Sequence, residues 1–345
     1  MEKLRAALVG LGRIGSLLED DPLREKPCTH AGALAANPDC VLIAGADRDE
    51  ARRRLFAERW GPPGAPLPVY ADAALMLAEQ RPHILHIATH PDSHYFYCSL
   101  ASRYGVKLAV CEKPLADRLS EARKIAALHR SGKITIITNH ERRYAADYRE
   151  AAGILAREEL GPLLSLRGTL YMGKTRRLLD VLWHDGTHLA DAAMFLSASV
   201  LRHKSAWGAP LRSKAGTAYL SGILEKTGKG GNGAVQTGGR VPFLLELGAG
   251  RDHLVFELEF SCAGGRLRIG NGIFEVWESG ESPYAEGFRS LKKSREGYGE
   301  PTAYFSGMVE DAAACVRDKS RTPVSPASAG LRVIEYLHSV SPWGV

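Results

Sequence analysis

Short apolar runs and amphipathic stretches alternate along the first third of the chain. Predicted strands lie at Leu4–Val9, Cys40–Ala46, 69–70, 84–88 and 107–111. Predicted helices lie at 14–36, interrupted by a charged insert at 19–26, and at 49–60, 73–79 and 95–104. Strands that alternate with helices of this length predict an α/β domain with a parallel, doubly wound sheet. In such a sheet, ligands bind at the edge where the strands have their carboxyl ends.

The pattern changes beyond residue 120. A helix at 120–131, a strand at 134–138 and a helix around 188–195 accompany runs in which apolar and polar residues alternate. Those runs lie at Leu163–Tyr171, 241–247, 254–260, 266–269 and 273–277. Short alternating runs with glycine turns predict an open, largely antiparallel sheet that is polar on one face. We therefore expect an α/β domain over residues 1–120 and an α+β domain over residues 121–345.

Composition narrows the classes of protein. The chain has 345 residues and is 45% hydrophobic, enough to build the cores of two domains. Its six cysteines lack C-x-x-C spacing, and it shows neither a signal peptide nor an apolar run of membrane-spanning length, so we expect a reduced, cytoplasmic protein. The net charge of +6 is spread along the chain, which fits small anionic ligands better than nucleic acid.

A glycine turn follows the first predicted strand. Gly10 allows a tight turn, Gly12 lets the backbone approach a pyrophosphate, and Gly15 lets a helix pack closely on the strand. The turn also contains Arg13 and Ile14. Asp47 ends the second strand, where a carboxylate binds the ribose hydroxyls of NAD, although Arg48 beside it could hold the 2′-phosphate of NADP. The alternative is a flavodoxin-like turn that binds no dinucleotide.

Two further motifs contain candidate catalytic residues. Glu112-Lys113-Pro114 follows the strand at 107–111, and a lysine before proline cannot continue a helix, although it could also be an ordinary surface lysine. His184 and His188 are four residues apart, so on one helix they would share a face. They could serve chemistry or simply satisfy the start of a helix.

The glycine turn, the Glu-Lys-Pro and the late histidine, in that order, resemble the glucose–fructose oxidoreductase/inositol dehydrogenase/rhizopine catabolism (Gfo/Idh/MocA) family of NAD(P)-dependent sugar and polyol dehydrogenases. The resemblance implies a Rossmann first domain that binds NAD, or NADP. It also implies that Glu112 and Lys113 contact the cofactor, that Lys113 polarises the substrate hydroxyl, and that His188 is the catalytic base. The loop with Thr89, His90 and His94 would follow the cofactor, although His94 could instead bond a neighbouring backbone group.

The same resemblance implies a substrate region and an assembly. Glu141-Arg142-Arg143-Tyr144 matches the family's Asn-Arg-Arg-Phe/Tyr, with glutamate in place of asparagine. The second sheet would form a homodimer or homotetramer, and a helix at about 325–339 would pack near the first domain. Candidate substrate-binding residues are Arg142, Tyr144, Lys174, Arg176 and Asp185. The basic members of this set suggest an anionic substrate such as a nucleotide sugar.

One position departs from the family, because His184 stands where an aspartate is usual. We treat it as a candidate catalytic or substrate-orienting residue. Two other classes of function stay open: a regulator that senses NAD or a sugar without catalysis, and a zinc hydrolase that uses His184 and His188. The favoured prediction is a metal-independent dehydrogenase that acts on a secondary hydroxyl of a sugar, cyclic polyol or nucleotide sugar.

Overall fold

The computed structural model of the protein describes residues 2–62, 64–173, 176–226, 240–299 and 301–341. Two compact units make up the chain. One comprises Met1–Ala145 and Thr302–Ile334, and the other comprises Ala146–Pro301 and Glu335–Val345. The first unit extends beyond the expected boundary at residue 120 because the strand at 135–138 pairs in its sheet. Residues 302–334 also belong to the first unit, and they include most of the helix predicted at about 325–339.

The first unit is built on a six-stranded parallel sheet. Its strands are β1 Leu4–Val9, β2 Cys40–Ala46, β3 Val69–Tyr70, β4 Ile84–Ile87, β5 Leu108–Cys111 and β6 Thr135–Thr138, in the spatial order β3-β2-β1-β4-β5-β6. Its helices are α1 His30–Ala36, α2 Glu50–Trp60, α3 Ala73–Gln80, α4 His94–Arg103, α5 Leu119–Arg130, α9 Tyr304–Arg317 and the first part of α10 Ala327–Val340. This is the predicted doubly wound arrangement, and it is confirmed.

Burial explains why these segments form strands and helices. All four residues of β4 and all four of β5 are buried, as expected for parallel strands covered on both faces. Three of the helices, α1, α2 and α3, start at a side chain that accepts a backbone N–H: Thr29 from Gly32, Asp49 from Arg52 and Asp72 from Ala74. The apolar core of the unit includes Leu8, Phe56 and Phe305, each almost wholly buried.

The predicted helix at 14–36 forms two separate segments, which backbone hydrogen bonds connect. A turn after Gly12 leads to a short 3-10 helix at Leu17–Asp20, the chain loops out, and α1 begins only at His30. The His30 N–H donates to Ile14 O and the Ala31 N–H to Gly15 O. The start of α1 therefore lies against the end of the glycine turn. The Glu19 carboxylate holds the base of the insert by accepting hydrogen bonds from Cys28 N and Thr29 Oγ1.

The second unit carries an eight-stranded sheet. Its strands are β7 Leu163–Tyr171, β8 Ser199–Gly208, β9 Gly216–Lys226, β10 Val241–Ala249, β11 Val255–Cys262, β12 Gly265–Gly270, β13 Ile273–Glu281 and β14 Arg289–Glu296. The spatial order is β14-β13-β12-β11-β7-β10-β9-β8, in which only β7 and β10 pair in parallel. The helices are α6 Ala146–Ala156, α7 Leu178–His184 and α8 Gly186–Leu196. The predicted α+β region with a mostly antiparallel sheet is therefore confirmed.

One face of this sheet is apolar and the other is polar. In β11, every second residue is buried, and α8 packs against β7 and β11. On the opposite face, Arg268 of β12 pairs with Glu257 at 2.5 Å and with Glu275 at 2.8 Å. Among the described helices, none is long and apolar enough to cross a membrane.

Candidate functional site

The strand registers bring the candidate residues of the first unit into one row. Val9 of β1 pairs with Ala46 of β2 and with Ile87 of β4, and Ile87 pairs with Cys111 of β5. Cys111 pairs in turn with Thr138 of β6. The residues that come directly after these strands therefore lie side by side at the carboxyl edge, namely Asp47, Gly10, Ala88, Glu112 and Asn139.

The glycine turn has the shape that a dinucleotide needs. Gly10 has φ +89°, and a Cβ added there would lie 2.5 Å from Ala88 O; a Cβ on Gly15 would lie 2.1 Å from Gly10 O. A Cβ on Gly12 would meet only the Arg52 guanidinium, at 3.5 Å. Gly10 and Gly15 are thus required by the fold, whereas Gly12 leaves backbone open for a pyrophosphate to approach. The residues present fit NAD(P).

Asp47 is tied to this turn. Its carboxylate accepts hydrogen bonds from Leu11 N at 2.8 Å and from Asp49 N at 2.9 Å, and Arg52 Nη1 lies 3.8 Å from Asp47 Oδ2. Arg48 is exposed, as is Arg13 in the turn, while Ile14 is half-buried. The basic side chain beside both Gly12 and Asp47 is therefore Arg52, which the helical pattern alone would have left facing solvent.

The loop after β4 lies against the turn. Thr89 Cγ2 lies 3.0 Å from where a Cβ on Gly10 would be, and the Thr89 hydroxyl accepts a hydrogen bond from Ser93 Oγ. His90 is exposed. His94 is buried, with Nδ1 3.0 Å from Pro114 O and Nε2 3.1 Å from Thr89 O, and burial lowers its pKa. The backbone-bonding alternative for His94 is what the structure contains, so its ring joins the loops after β4 and β5.

Glu112 and Lys113 leave β5 in line with the sheet. The Glu112 N–H donates to Ile87 O, and the Glu112 side chain turns back so that its Oε2 accepts the Lys113 N–H at 3.2 Å. Burial opposes ionisation of Glu112, but His30, Lys113 and Asn139 outweigh it, so the pKa of this carboxyl lies below its ordinary value. An ionised carboxylate therefore lies next to the backbone of Lys113.

The segment after β6 differs from the sequence prediction at Tyr144. Glu141 and Arg142 are half-buried, and Arg142 Nη1 lies 3.4 Å from Glu141 Oε1. Burial raises the pKa of Glu141, although the charges of Arg142 and Lys113 act in the opposite direction. Tyr144 is only 4% exposed, and its hydroxyl donates to Asp311 Oδ2 at 3.2 Å. Its expected role in substrate binding is thus corrected to a role in the core, because the apolar ring packs inward from the short helix at Glu141–Arg143.

The second unit carries the two histidines on different helices. α7 ends at His184 and α8 begins at Gly186, with Asp185 between them, so the two rings do not share one helical face. His184 is exposed, and its Nδ1 lies 2.8 Å from Asp185 Oδ2, which also accepts from Arg176 Nη1 at 3.0 Å. His188 is buried within α8. Lys174 lies outside the described residues.

Several polar residues near Lys113 had no sequence signal. His30, His86 and Asn139 are fully buried and connect to Glu112 through hydrogen bonds. Each lies in or beside an apolar segment, where a lone polar residue shows nothing of its partners in other elements. Among the described residues, no group of three or more His, Cys, Asp or Glu side chains could hold a metal ion.

Comparison with known proteins supports the family resemblance over the first part of the chain. Residues 4–140 match the model of the Gfo/Idh/MocA oxidoreductase family with its NAD-binding Rossmann fold. The chain is 32% identical over 177 residues to the YceM protein of Salmonella typhimurium and 29% identical over 175 residues to D-apiose dehydrogenase of Paraburkholderia graminis. These matches cover 49% and 47% of this chain, and the chain spans about half the length of those relatives, 50% and 44%.

Solved structures share the fold over almost the whole chain. UDP-N-acetylglucosamine 3-dehydrogenase of Acidithiobacillus ferrooxidans aligns with a TM-score of 0.73 at 16% identity, covering 99% of this chain and 97% of that one. A 3-ketoreductase of Actinomadura kijaniata, in complex with TDP-benzene and NADP, aligns with a TM-score of 0.70 at 18% identity, covering 99% and 98%. The fold of both units is therefore that of these enzymes.

Proposed function

We propose that the protein is an NAD(P)-dependent dehydrogenase that transfers a hydride between nicotinamide and a secondary hydroxyl of a sugar, cyclic polyol or nucleotide sugar. The observation that carries the proposal is the row at the sheet edge, where Asp47, the Gly10 turn and Glu112-Lys113 come after paired strands. The relatives support the substrate class, since their names include D-apiose and UDP-N-acetylglucosamine dehydrogenases and a 3-ketoreductase.

The roles of the residues are assigned from their chemistry. The open backbone at Gly12 holds the pyrophosphate, and Asp47 receives the adenosine ribose. When bound, the nicotinamide accepts or returns the hydride. The Lys113 ammonium orients the reacting hydroxyl and stabilises the negative charge that develops on its oxygen. In the direction of oxidation, His188 takes the hydroxyl proton, a role that the family resemblance assigns to it.

We propose NAD as the preferred cofactor, because the Asp47 carboxylate would repel a 2′-phosphate. Arg52 weakens this repulsion, since its guanidinium lies 3.8 Å from the carboxylate and would pair with the 2′-phosphate of NADP. We also propose that Arg142 and Arg176 bind an anionic part of the substrate. Both already pair with carboxylates, Glu141 and Asp185.

We further propose that the second sheet forms a homodimer or homotetramer and that the protein works in the cytoplasm. The family resemblance, which implies subunit contacts through the open sheet face, supports the first point. Six free, buried cysteines support the second. Analytical ultracentrifugation tests the assembly, and a single monomeric species at micromolar concentration would contradict it.

The experiment for the proposed function is a turnover assay with product identification. The protein is incubated with NAD or NADP and a panel of aldoses, inositols and UDP-sugars, and reduction of the cofactor is followed by its near-ultraviolet absorbance. We expect turnover of at least one member, with a keto product at a ring carbon by mass spectrometry and NMR. Tight binding of NAD without turnover in either direction would favour the regulator that senses NAD or a sugar.

A further inference from the structure

A chain of buried hydrogen bonds runs behind Glu112. His30 Nε2 lies 2.9 Å from Glu112 Oε1, and His30 Nδ1 lies 2.8 Å from His86 Nδ1. Asn139 Nδ2 donates to the same Glu112 oxygen at 2.6 Å, and Glu112 Oε2 accepts the Lys113 N–H. The four side chains come from α1, β4, the end of β5 and the end of β6. The chain thus fixes the carboxylate from two sides.

The contacts of these hydrogen-bonded side chains indicate which of their atoms carry hydrogens. Because the Glu112 pKa is lowered, its carboxylate is an acceptor, and both His30 Nε2 and Asn139 Nδ2 donate to it. Burial lowers the pKa of His86 well below its ordinary value, so His86 is neutral. Two facing Nδ1 atoms need one hydrogen between them. We assign this hydrogen to His86, so that His86 Nδ1–H donates to His30 Nδ1, because the opposite assignment would leave an N–H on His86 Nε2 with no acceptor among the described residues.

This arrangement leaves one buried atom without a hydrogen. His86 Nε2 has no hydrogen-bond partner among the described residues, and in the proposed arrangement it carries a lone pair rather than an N–H. A buried N–H without a partner is rarer than a buried acceptor without one, which agrees with this tautomer. Phe305 closes the group by packing edge-on against His30, with ring centroids 5.5 Å apart.

We propose that His30 and His86 are positioning residues that hold the Glu112 carboxylate ionised and oriented behind Lys113. The inference rests on the proposed function only in taking Lys113 as the group that meets the substrate hydroxyl. The carboxylate fixes the Lys113 backbone N–H directly, and its charge acts on the lysine side chain next to it. His86 acts one step further away, by setting the tautomer of His30.

Other titratable groups also face Glu112, and none of them supplies the same donor. They are His94, Cys111, Lys113 and Glu141. Burial keeps His94 neutral and the Cys111 thiol protonated, and it raises the pKa of Glu141. Removing His30 should therefore raise the pKa of Glu112, because the largest influence that favours its charged form is lost. Glu112 would then become protonated at a higher pH.

The first test needs no substrate. In the folded protein labelled with ¹⁵N, the amide resonance of Lys113 reports the protonation of Glu112 across the 3.2 Å hydrogen bond. We expect its pH-dependent shift to move to higher pH by about one unit in His30→Leu, and to return in His30→Gln, whose amide can replace the Nε2 donor. Phe305→Leu is the packing control and should leave the titration unchanged. An unchanged titration in His30→Leu would overturn the proposal.

The second test observes the tautomers and the rate. Imidazole ¹⁵N spectra should show His86 protonated at Nδ1 and bare at Nε2; a proton on Nε2 would overturn the assignment. With a sugar that is turned over, His30→Leu should lower kcat at least tenfold because the carboxylate loses its orientation, with NAD affinity within twofold of wild type. Glu112→Gln should then cause a smaller loss in the His30→Leu background than it does alone. Additive losses would contradict a shared role. If no sugar is turned over, the proposed function fails, whereas the NMR titration still decides the network.

Discussion

Gly12 and Gly15 allow a paired test of the glycine turn, because the structure gives them opposite surroundings. A Cβ on Gly15 would lie 2.1 Å from Gly10 O, a backbone atom that cannot move cheaply. Overpacking of this kind costs about 1–3 kcal/mol, so Gly15→Ala should lower the free energy of unfolding by that amount. A domain of this size loses roughly 2–4 °C of Tm per kcal/mol.

Gly12→Ala should behave in the opposite way. Its Cβ would meet only the Arg52 guanidinium at 3.5 Å, and its φ lies outside the left-handed region, so stability should change by no more than about 0.5 kcal/mol. The methyl group would occupy the space into which the pyrophosphate must come. We expect at least tenfold weaker NAD binding, about 1.4 kcal/mol.

Calorimetric titration of NAD and thermal unfolding measure both variants. Gly12→Ala with wild-type NAD affinity would refute the placement of the pyrophosphate at this turn. Gly15→Ala with wild-type stability would refute the packing argument. A variant of Gly12 that loses stability as well would show that its surroundings are closed in solution.

Three further predictions test single residues. Asp47→Ala should abolish a preference for NAD over NADP that we expect to be at least tenfold, about 1.4 kcal/mol; equal binding of both cofactors by the wild type would contradict the role of this carboxylate. Tyr144→Phe should cost about 1–3 kcal/mol in chemical denaturation by removing the hydrogen bond to Asp311, and a raised KM at unchanged stability would restore Tyr144 to the substrate site. His188→Ala should remove the acidic limb of the pH–rate profile with most of the activity, whereas His184→Asp should keep the fold; the reverse pattern would exchange their roles.

The sequence predicted the parallel sheet well because its strands are buried on both faces. Runs such as Leu4–Val9 and Cys40–Ala46 have the same bounds in the structure as in the prediction. The glycine turn and Glu112-Lys113 were placed at the carboxyl edge for the same reason, since the ends of parallel strands determine where the next residues of the chain lie.

The second sheet was predicted less completely. β8, β9 and β14 were missed, and β14 shows why: its residues Arg289–Glu296 are almost all exposed and mostly charged. An edge strand of this composition lacks the apolar alternation on which the prediction rests, although charges are how edge strands avoid pairing with other chains.

Two parts of the candidate site depended on tertiary contacts. The i, i+4 spacing of His184 and His188 predicted one helix, but the helix is interrupted at Asp185. The Asp185 carboxylate pairs with His184 and Arg176. His30 is separated from Glu112 by 82 positions, so no local pattern could reveal their hydrogen bond. Such pairs depend on the order of the strands, which the sequence does not state.

The role of Lys113 in turnover is tested by Lys113→Ala, with Lys113→Arg as the matched variant that keeps the charge. NAD affinity is measured by calorimetry, and turnover by reduction of NAD with the sugar identified in the panel. We expect Lys113→Ala to bind NAD within a fewfold of wild type while kcat falls on the order of a hundredfold or more, the scale of losing one electrostatic stabiliser. Near-normal turnover by Lys113→Ala would show that the lysine does not stabilise the reacting oxygen.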